Sequence, residues 1–197
     1  MGLLRALGIT LSANSFGSVL KGMALFPMLI VGANLAAVAF VKSSVSDQLL
    51  GALPVSVDKV PALIIVCMVI LAVVTGVFVV IGLNLSGSYD NSLPRKTKGL
   101  TMAESHPALF RLQSAHSNTF ECLAMLTACF YVGTVHPLDA VIFAKLAMFT
   151  LASRVLYVLA YVLDEDFLRT GFFVFGVTAI TDVGIGAIFP QALAKYA

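Results

Sequence analysis

The sequence of 197 residues contains no tryptophan, and only 11% of its residues are charged. So few charges cannot cover the surface of a water-soluble domain of this size. The formal net charge is +2, and the basic residues are clustered rather than spread, so nucleic acid is excluded as a partner. Only three cysteines are present, Cys67, Cys122 and Cys129. All lie within apolar runs and none has metal-ligand spacing, which excludes a zinc framework and reads as buried, inert thiols. With tryptophan absent, Tyr and Phe are left to anchor the chain at any interface.

What the sequence does contain is hydrocarbon. Hydrophobic residues make up 59% of the chain and the mean hydropathy is +0.99. This places the chain among integral membrane proteins, with the bilayer as its first partner. Residues 24–41 form an apolar run with Pro27 and Asn34 inside it. The run fits a signal peptide with Ala37-Val38-Ala39 at the cleavage site, or a signal anchor. An additional, kinked membrane or interfacial helix is the expectation. Residues 43–60 read as a connector with a short amphipathic piece. Residues 61–83 carry no charge, and Pro61 suits a first helical turn. Further helices are expected over 107–132, 138–163 and 172–190, with a tight turn at 133–137. The expected fold is thus all-α: an integral membrane four-helix bundle over 61–190, an N-terminal extension at 1–60 with its helix at 24–41, and a tail at 191–197. The loops at 84–107 and 163–171 carry Arg95, Lys96, Lys98 and Arg169, whereas 133–137 has no Lys or Arg. The first two loops therefore face the cytoplasm, or the stroma or matrix of an organelle.

Polar residues inside these runs are the functional signal. Arg154, Tyr157 and Tyr161 fall three and four residues apart and share one helical face. Arg154 lies about two turns inside an apolar run, where a guanidinium costs about 2.5–3.5 kcal/mol or more to insert. Arg111, Ser114, Asn118 and Glu121 share a face of the preceding helix, and a Glu121–Arg154 pair is expected across the two. A second pair is expected between Lys145 and Asp182, which sit at matching depths of roughly 10–12 Å on antiparallel helices. The alternative is that each faces a neighbouring chain, with Thr178 and Thr181 also turned outward. His106 and His136 each precede a proline at a membrane boundary. They read as interfacial polar residues, with a ligand to a pigment magnesium or haem iron as the other reading.

The order Arg111-x4-His116-x-Asn118-x2-Glu121, then Arg154-x2-Tyr157-x3-Tyr161, then Arg169-Thr-Gly-Phe-Phe173 resembles the MAPEG family over roughly residues 61–190. These are the membrane-associated proteins of eicosanoid and glutathione metabolism. The resemblance implies a four-helix bundle assembled as a homotrimer, with glutathione bound between subunits near the cytoplasmic end. It implies that Asn118, Glu121, Arg154 and Tyr161 contact glutathione, and that Tyr157 stands where some members have Tyr or His. Arg169 would stabilise the thiolate, and Arg111 and His116 would flank the site, His116 as a structural hydrogen-bonder. Two departures stand out. Ser114 replaces the family's usual Arg, and residues 82–91 lack the Arg that usually follows the first helix. Two functions are therefore expected: a glutathione-dependent transferase or peroxidase acting on lipophilic electrophiles, or a non-catalytic subunit of a larger respiratory or photosynthetic membrane complex, with pigment or lipid contacts.

Overall fold

The computed structural model describes residues 13–87, 100–136 and 138–197. The cationic cluster Arg95, Lys96 and Lys98, the N-terminal Arg5 and Pro137 lie outside the described residues. Among the described residues, seven α-helices follow in order: α1 Ala13–Val41, α2 Ser44–Ala52, α3 Val60–Leu85, α4 Leu100–Ser105, α5 Pro107–Val135, α6 Ala140–Val162 and α7 Asp166–Ile188. Short 3-10 turns stand at Val57–Lys59 and Pro190–Tyr196. No strand occurs among the described residues.

The helix ends follow from local chemistry. Ser43 caps α2 by accepting from the Ser46 amide, and it turns the chain so that α1 and α2 meet at 61°. Pro61 occupies the first turn of α3, where no amide partner is needed. Asp139 caps α6 by accepting from Val141 and Ile142. The α6–α7 turn is tighter. Glu165 donates to the Ala160 carbonyl and Asp164 to that of Tyr161, with Asp164 in the left-handed region at φ 62°. This is a Schellman arrangement built on Asp, a residue that tolerates the left-handed region better than most.

Among the described residues, three helices are long and apolar enough to cross a bilayer alone: the 3-10 turn with α3, then α6, then α7. The bent α1–α2 pair passes the same test when counted as one span. α5 does not pass, because its first half carries Arg111, Gln113, His116, Asn118 and Glu121. It is nevertheless 29 residues long, about 43 Å, and runs antiparallel to α3. Leu109 packs on Gly82 and the His116 ring packs on Gly76, while Cys122, Leu126 and Phe130 share a core with Met68, Ile64 and Val60. α5 therefore rides across beside α3, with His116 and Asn118 turned inward and Glu121 left exposed. The chain is an integral, multi-pass membrane protein.

α6 is the centre of the bundle: residues 143–150 are buried on every side. α1 lies along α7 and α6, with Phe40 5.5 Å from Phe149. The outer faces stay apolar, as at Val66, Val73, Val77 and Phe78 of α3, and meet lipid.

Lys145 does not pair with Asp182. Its ammonium is 2.6 Å from Asp47 and 2.8 Å from the Val41 carbonyl oxygen. The carbonyl end of α1 and the first turn of α2 thus converge on one buried cation, a favourable place for positive charge. Asp182 turns the other way, to Lys195 at 2.9 Å and to the Tyr196 hydroxyl. Depth along the helices was matched, but the two side chains leave their helices in different directions.

The Lys145 site is asymmetric, with side-chain exposures of 8% for Lys145 and 63% for Asp47. Asp47→Ala strands a buried cation, whereas Lys145→Met leaves only a solvated carboxylate. We expect Asp47→Ala to cost about 1–3 kcal/mol, below the range for a fully buried pair because Val41 still accepts. Lys145→Met should cost less. Melting in detergent checks the order, and a larger drop for Lys145→Met would sink this account.

Candidate functional site

The polar faces of α5 and α6 meet, as their spacing requires. The Asn118 amide donates to the Tyr157 hydroxyl at 2.7 Å and to the Tyr161 hydroxyl at 3.0 Å. One carboxamide therefore ties two phenols that stand one turn apart, their rings edge to face at 5.0 Å. Below them, toward the membrane interior, lies Arg154. Above them, Arg169 of α7 stacks its guanidinium 4.6 Å over the Tyr161 ring and pairs with Asp166 at 2.6 Å. Arg154, Tyr157, Tyr161 and Arg169 form a continuous strip with a cation at each end. From Arg154 to Tyr161 it rises about 10 Å.

Arg154 is the unusual member. It is wholly buried, and its Nε, Nη1 and Nη2 have no nitrogen or oxygen acceptor among the described residues, with only the weakly accepting Cys122 sulfur of α5 beside the guanidinium. Two aromatic faces cover it instead, Tyr157 at 4.8 Å and Phe173 at 5.1 Å. Such cation–π contacts are worth about 2 kcal/mol when desolvated, less than the several kcal/mol that burying the charge costs. Gly176 of α7 gives the side chain room, with Arg154 Nε 3.5 Å from where a Cβ would stand.

The expected Glu121–Arg154 pair is not formed. Arg154 leans into α7, against Phe173 and Gly176, and away from the face of α5 that carries Glu121. Glu121 is exposed on that outer face, beside the exposed Phe120 and Met125, with no ion pair among the described residues. A shared helical face had suggested the pairing, but Asn118 takes the contact with α6 and Glu121 lies past it.

The remaining predicted residues sit at the margin. Arg111 pairs with Asp164 in the Schellman turn at 3.2 Å, which ties α5 to the α6–α7 connection. His116 points to α3, its Nδ1 2.8 Å from the Ala72 carbonyl oxygen, with Phe120 edge-on to its ring. Ser114 bonds back to its own helix at the Phe110 carbonyl oxygen. Sequence reasoning passed over Phe173, Gly176 and Asp164. Phe173 and Gly176 stand three apart on α7, a same-face spacing that was available as a signal.

Chemically, the strip offers two guanidinia, two phenols and one carboxamide along a line open to solvent near Arg169. Such a set suits an elongated anion.

Residues 61–189 match the model of the MAPEG family. No curated protein and no solved structure is similar enough to the chain to count as a match. The family match covers α3 through α7, the helices that carry every residue of the strip, and the chain belongs to the MAPEG family.

Proposed function

We propose that this chain is a glutathione-dependent transferase or peroxidase that acts on lipophilic electrophiles drawn from the bilayer. One observation carries the reading: a fully buried guanidinium, Arg154, with no carboxylate, carbonyl or hydroxyl acceptor for any of its nitrogens among the described residues. A chain that keeps such a charge at membrane depth is built around an anion it does not itself supply. Glutathione brings two carboxylates and a thiol on a flexible backbone. Arg154 takes the inner anionic end, the Asn118 carbonyl oxygen accepts from its amino or amide groups, and Arg169 faces the sulfur. A thiol of pKa about 8.5 is mostly protonated at neutral pH, and an adjacent guanidinium favours the thiolate. In the transfer reaction the thiolate lone pair forms a bond to an electrophilic carbon, whose leaving group departs with the bonding electrons. The family's homotrimer, with glutathione between subunits, fits the outward-facing Glu121, which can reach glutathione or a second copy.

A second reading is a non-catalytic subunit of a larger membrane complex. Three features favour it. Arg111 and Arg169 already have carboxylate partners, Ser114 stands where the family has Arg, and α1 and α2 lie outside the family match.

The discriminating measurement is the ultraviolet absorbance of bound glutathione thiolate. We expect a thiolate signal in the purified protein, and a loss of at least about tenfold in Arg169→Leu with an unchanged melting curve. Equal signals in both would remove Arg169 from the mechanism. No binding of glutathione by the wild type would favour the subunit.

A further inference from the structure

α1 and α7 do not close against each other completely. Between them runs a groove of about 280 Å³, walled by Phe26 and Ile30 of α1 and by Phe173, Val177 and Ile185 of α7. Its walls are apolar except at one end, where Asn34, Thr178, Thr181 and Asp182 line it. Most polar atoms at that end are satisfied. Asn34 donates to the Ile30 carbonyl and accepts from Lys195, and Thr181 donates to the Val177 carbonyl. Asp182 Oδ2 accepts from both Lys195 and Tyr196.

Two atoms are left over. Asp182 Oδ1 and the Thr178 hydroxyl make no hydrogen bond among the described residues. They stand one turn apart on the groove face of α7, at an i, i+4 spacing. Thr178 is only 9% exposed, so its hydroxyl meets the groove rather than bulk solvent. The charge of Asp182 is already balanced by Lys195 at 2.9 Å, so no cation is called for. What the pair lacks is one neutral group that donates to Oδ1 and accepts from Thr178. A hydroxyl does both.

We propose that this groove binds a lipophilic alcohol, its hydroxyl held between Asp182 Oδ1 and Thr178 Oγ1 and its hydrocarbon lying along α1 and α7 toward Phe173. From Asp182 to Phe173 the helix rises about 14 Å, which accommodates a long chain or a fused ring system. Phe173 also covers the Arg154 guanidinium, so the far end of the ligand abuts the inner end of the polar strip. The proposal is independent of glutathione, because α1 and the Thr178–Asp182 turn take no part in that strip.

The test uses the full chain in phosphatidylcholine nanodiscs and hexadecanol bearing a mid-chain diazirine. Photolabelling is expected on α1 and α7 peptides around Ile30 and Val177, competed by unlabelled hexadecanol and not by hexadecane. Thr178→Val keeps the shape and removes the hydroxyl, and should weaken competition by about five- to tenfold, the loss of one neutral hydrogen bond. Ile30→Trp fills the apolar stretch of the groove from the α1 side, away from Thr178 and Asp182, and should abolish labelling. Equal competition by hexadecane, which would mean an ordinary acyl chain in the groove, overturns the proposal. So does full affinity in Thr178→Val, or no labelling of this groove in the folded protein, as when a second copy covers it.

Discussion

Replacing Arg154 by Met is expected to raise the melting temperature of the ligand-free protein and to abolish glutathione binding. The two effects have one cause. The guanidinium is wholly buried and its three nitrogens have no nitrogen or oxygen acceptor among the described residues, so two aromatic faces and the weakly accepting Cys122 sulfur offset only part of its desolvation cost in the apo fold. Methionine is similar in length, flexible and neutral, and fills the same space between Tyr157, Phe173 and Gly176. Exchanging a buried charge for a well-packed apolar side chain commonly stabilises a protein by about 1–4 kcal/mol, and this charge lacks even a partner to lose. Thermal melts in detergent, with and without glutathione, check both halves. Wild type should be stabilised by glutathione, and Arg154→Met should start higher and not respond. A lower melting temperature for the ligand-free variant would mean that the guanidinium is satisfied by other means, such as a carboxylate from another copy.

Lys195→Ala is expected to be the most damaging single change outside the strip. Asp182 lies in α7 with its side chain 14% exposed, and its partners are Lys195 at 2.9 Å and the Tyr196 hydroxyl. Burial, together with the neighbouring Asp182 carboxylate, holds the Tyr196 phenol well above its usual range, so it stays protonated as a donor. Alone, it cannot balance a full charge. Lys195→Ala should therefore cost about 2–4 kcal/mol, somewhat below the range for a stranded buried ion because Lys195 is partly solvated. Adding Asp182→Asn to Lys195→Ala should recover much of that loss, since no charge is then left behind. A double variant no more stable than Lys195→Ala would show that the tail packs through Leu193 and Tyr196 and not through the ion pair.

The helices were legible in the sequence, because hydrocarbon length and a few caps define them. Residues 61–83, 138–163 and 172–190 lie within, or within a few residues of, α3, α6 and α7. The N-terminal apolar segment forms one helix with Pro27 inside it, and the 61° bend comes after it, between α1 and α2. The meeting of Asn118 with Tyr157 and Tyr161 follows the facing polar stripes of α5 and α6. The ion pairs were not legible, for a geometric reason. Depth along a helix fixes one coordinate of a charge, and the direction in which its side chain leaves the helix fixes another. Lys145 and Asp182 matched in the first and differed in the second. Their partners also came from stretches that read as connector and tail. Asp47 lies in the nine-residue α2, and Lys195 in a 3-10 turn after the last span. Short polar segments carry little periodicity, so nothing in them announces that they will fold back on a membrane helix. The buried Arg154 was expected to find Glu121, because a lone charge in hydrocarbon argues for a partner. That argument holds, but it does not say that the partner belongs to the same chain.

The bond between Asn34 and Lys195 joins residues 161 positions apart. Its consequence falls on biosynthesis. α1 reaches the membrane before α7 and the Lys195 turn that receive it. At about 5–20 residues per second, the interval between them is on the order of ten to thirty seconds. Throughout that time α1 has only lipid, and whatever assists insertion, against its Asn34 face. Nascent chains stalled after α6 therefore expose this face, and the Asn34 side of α1 is covered only after α7 and the Lys195 turn have followed it out, although α1 precedes them in the chain.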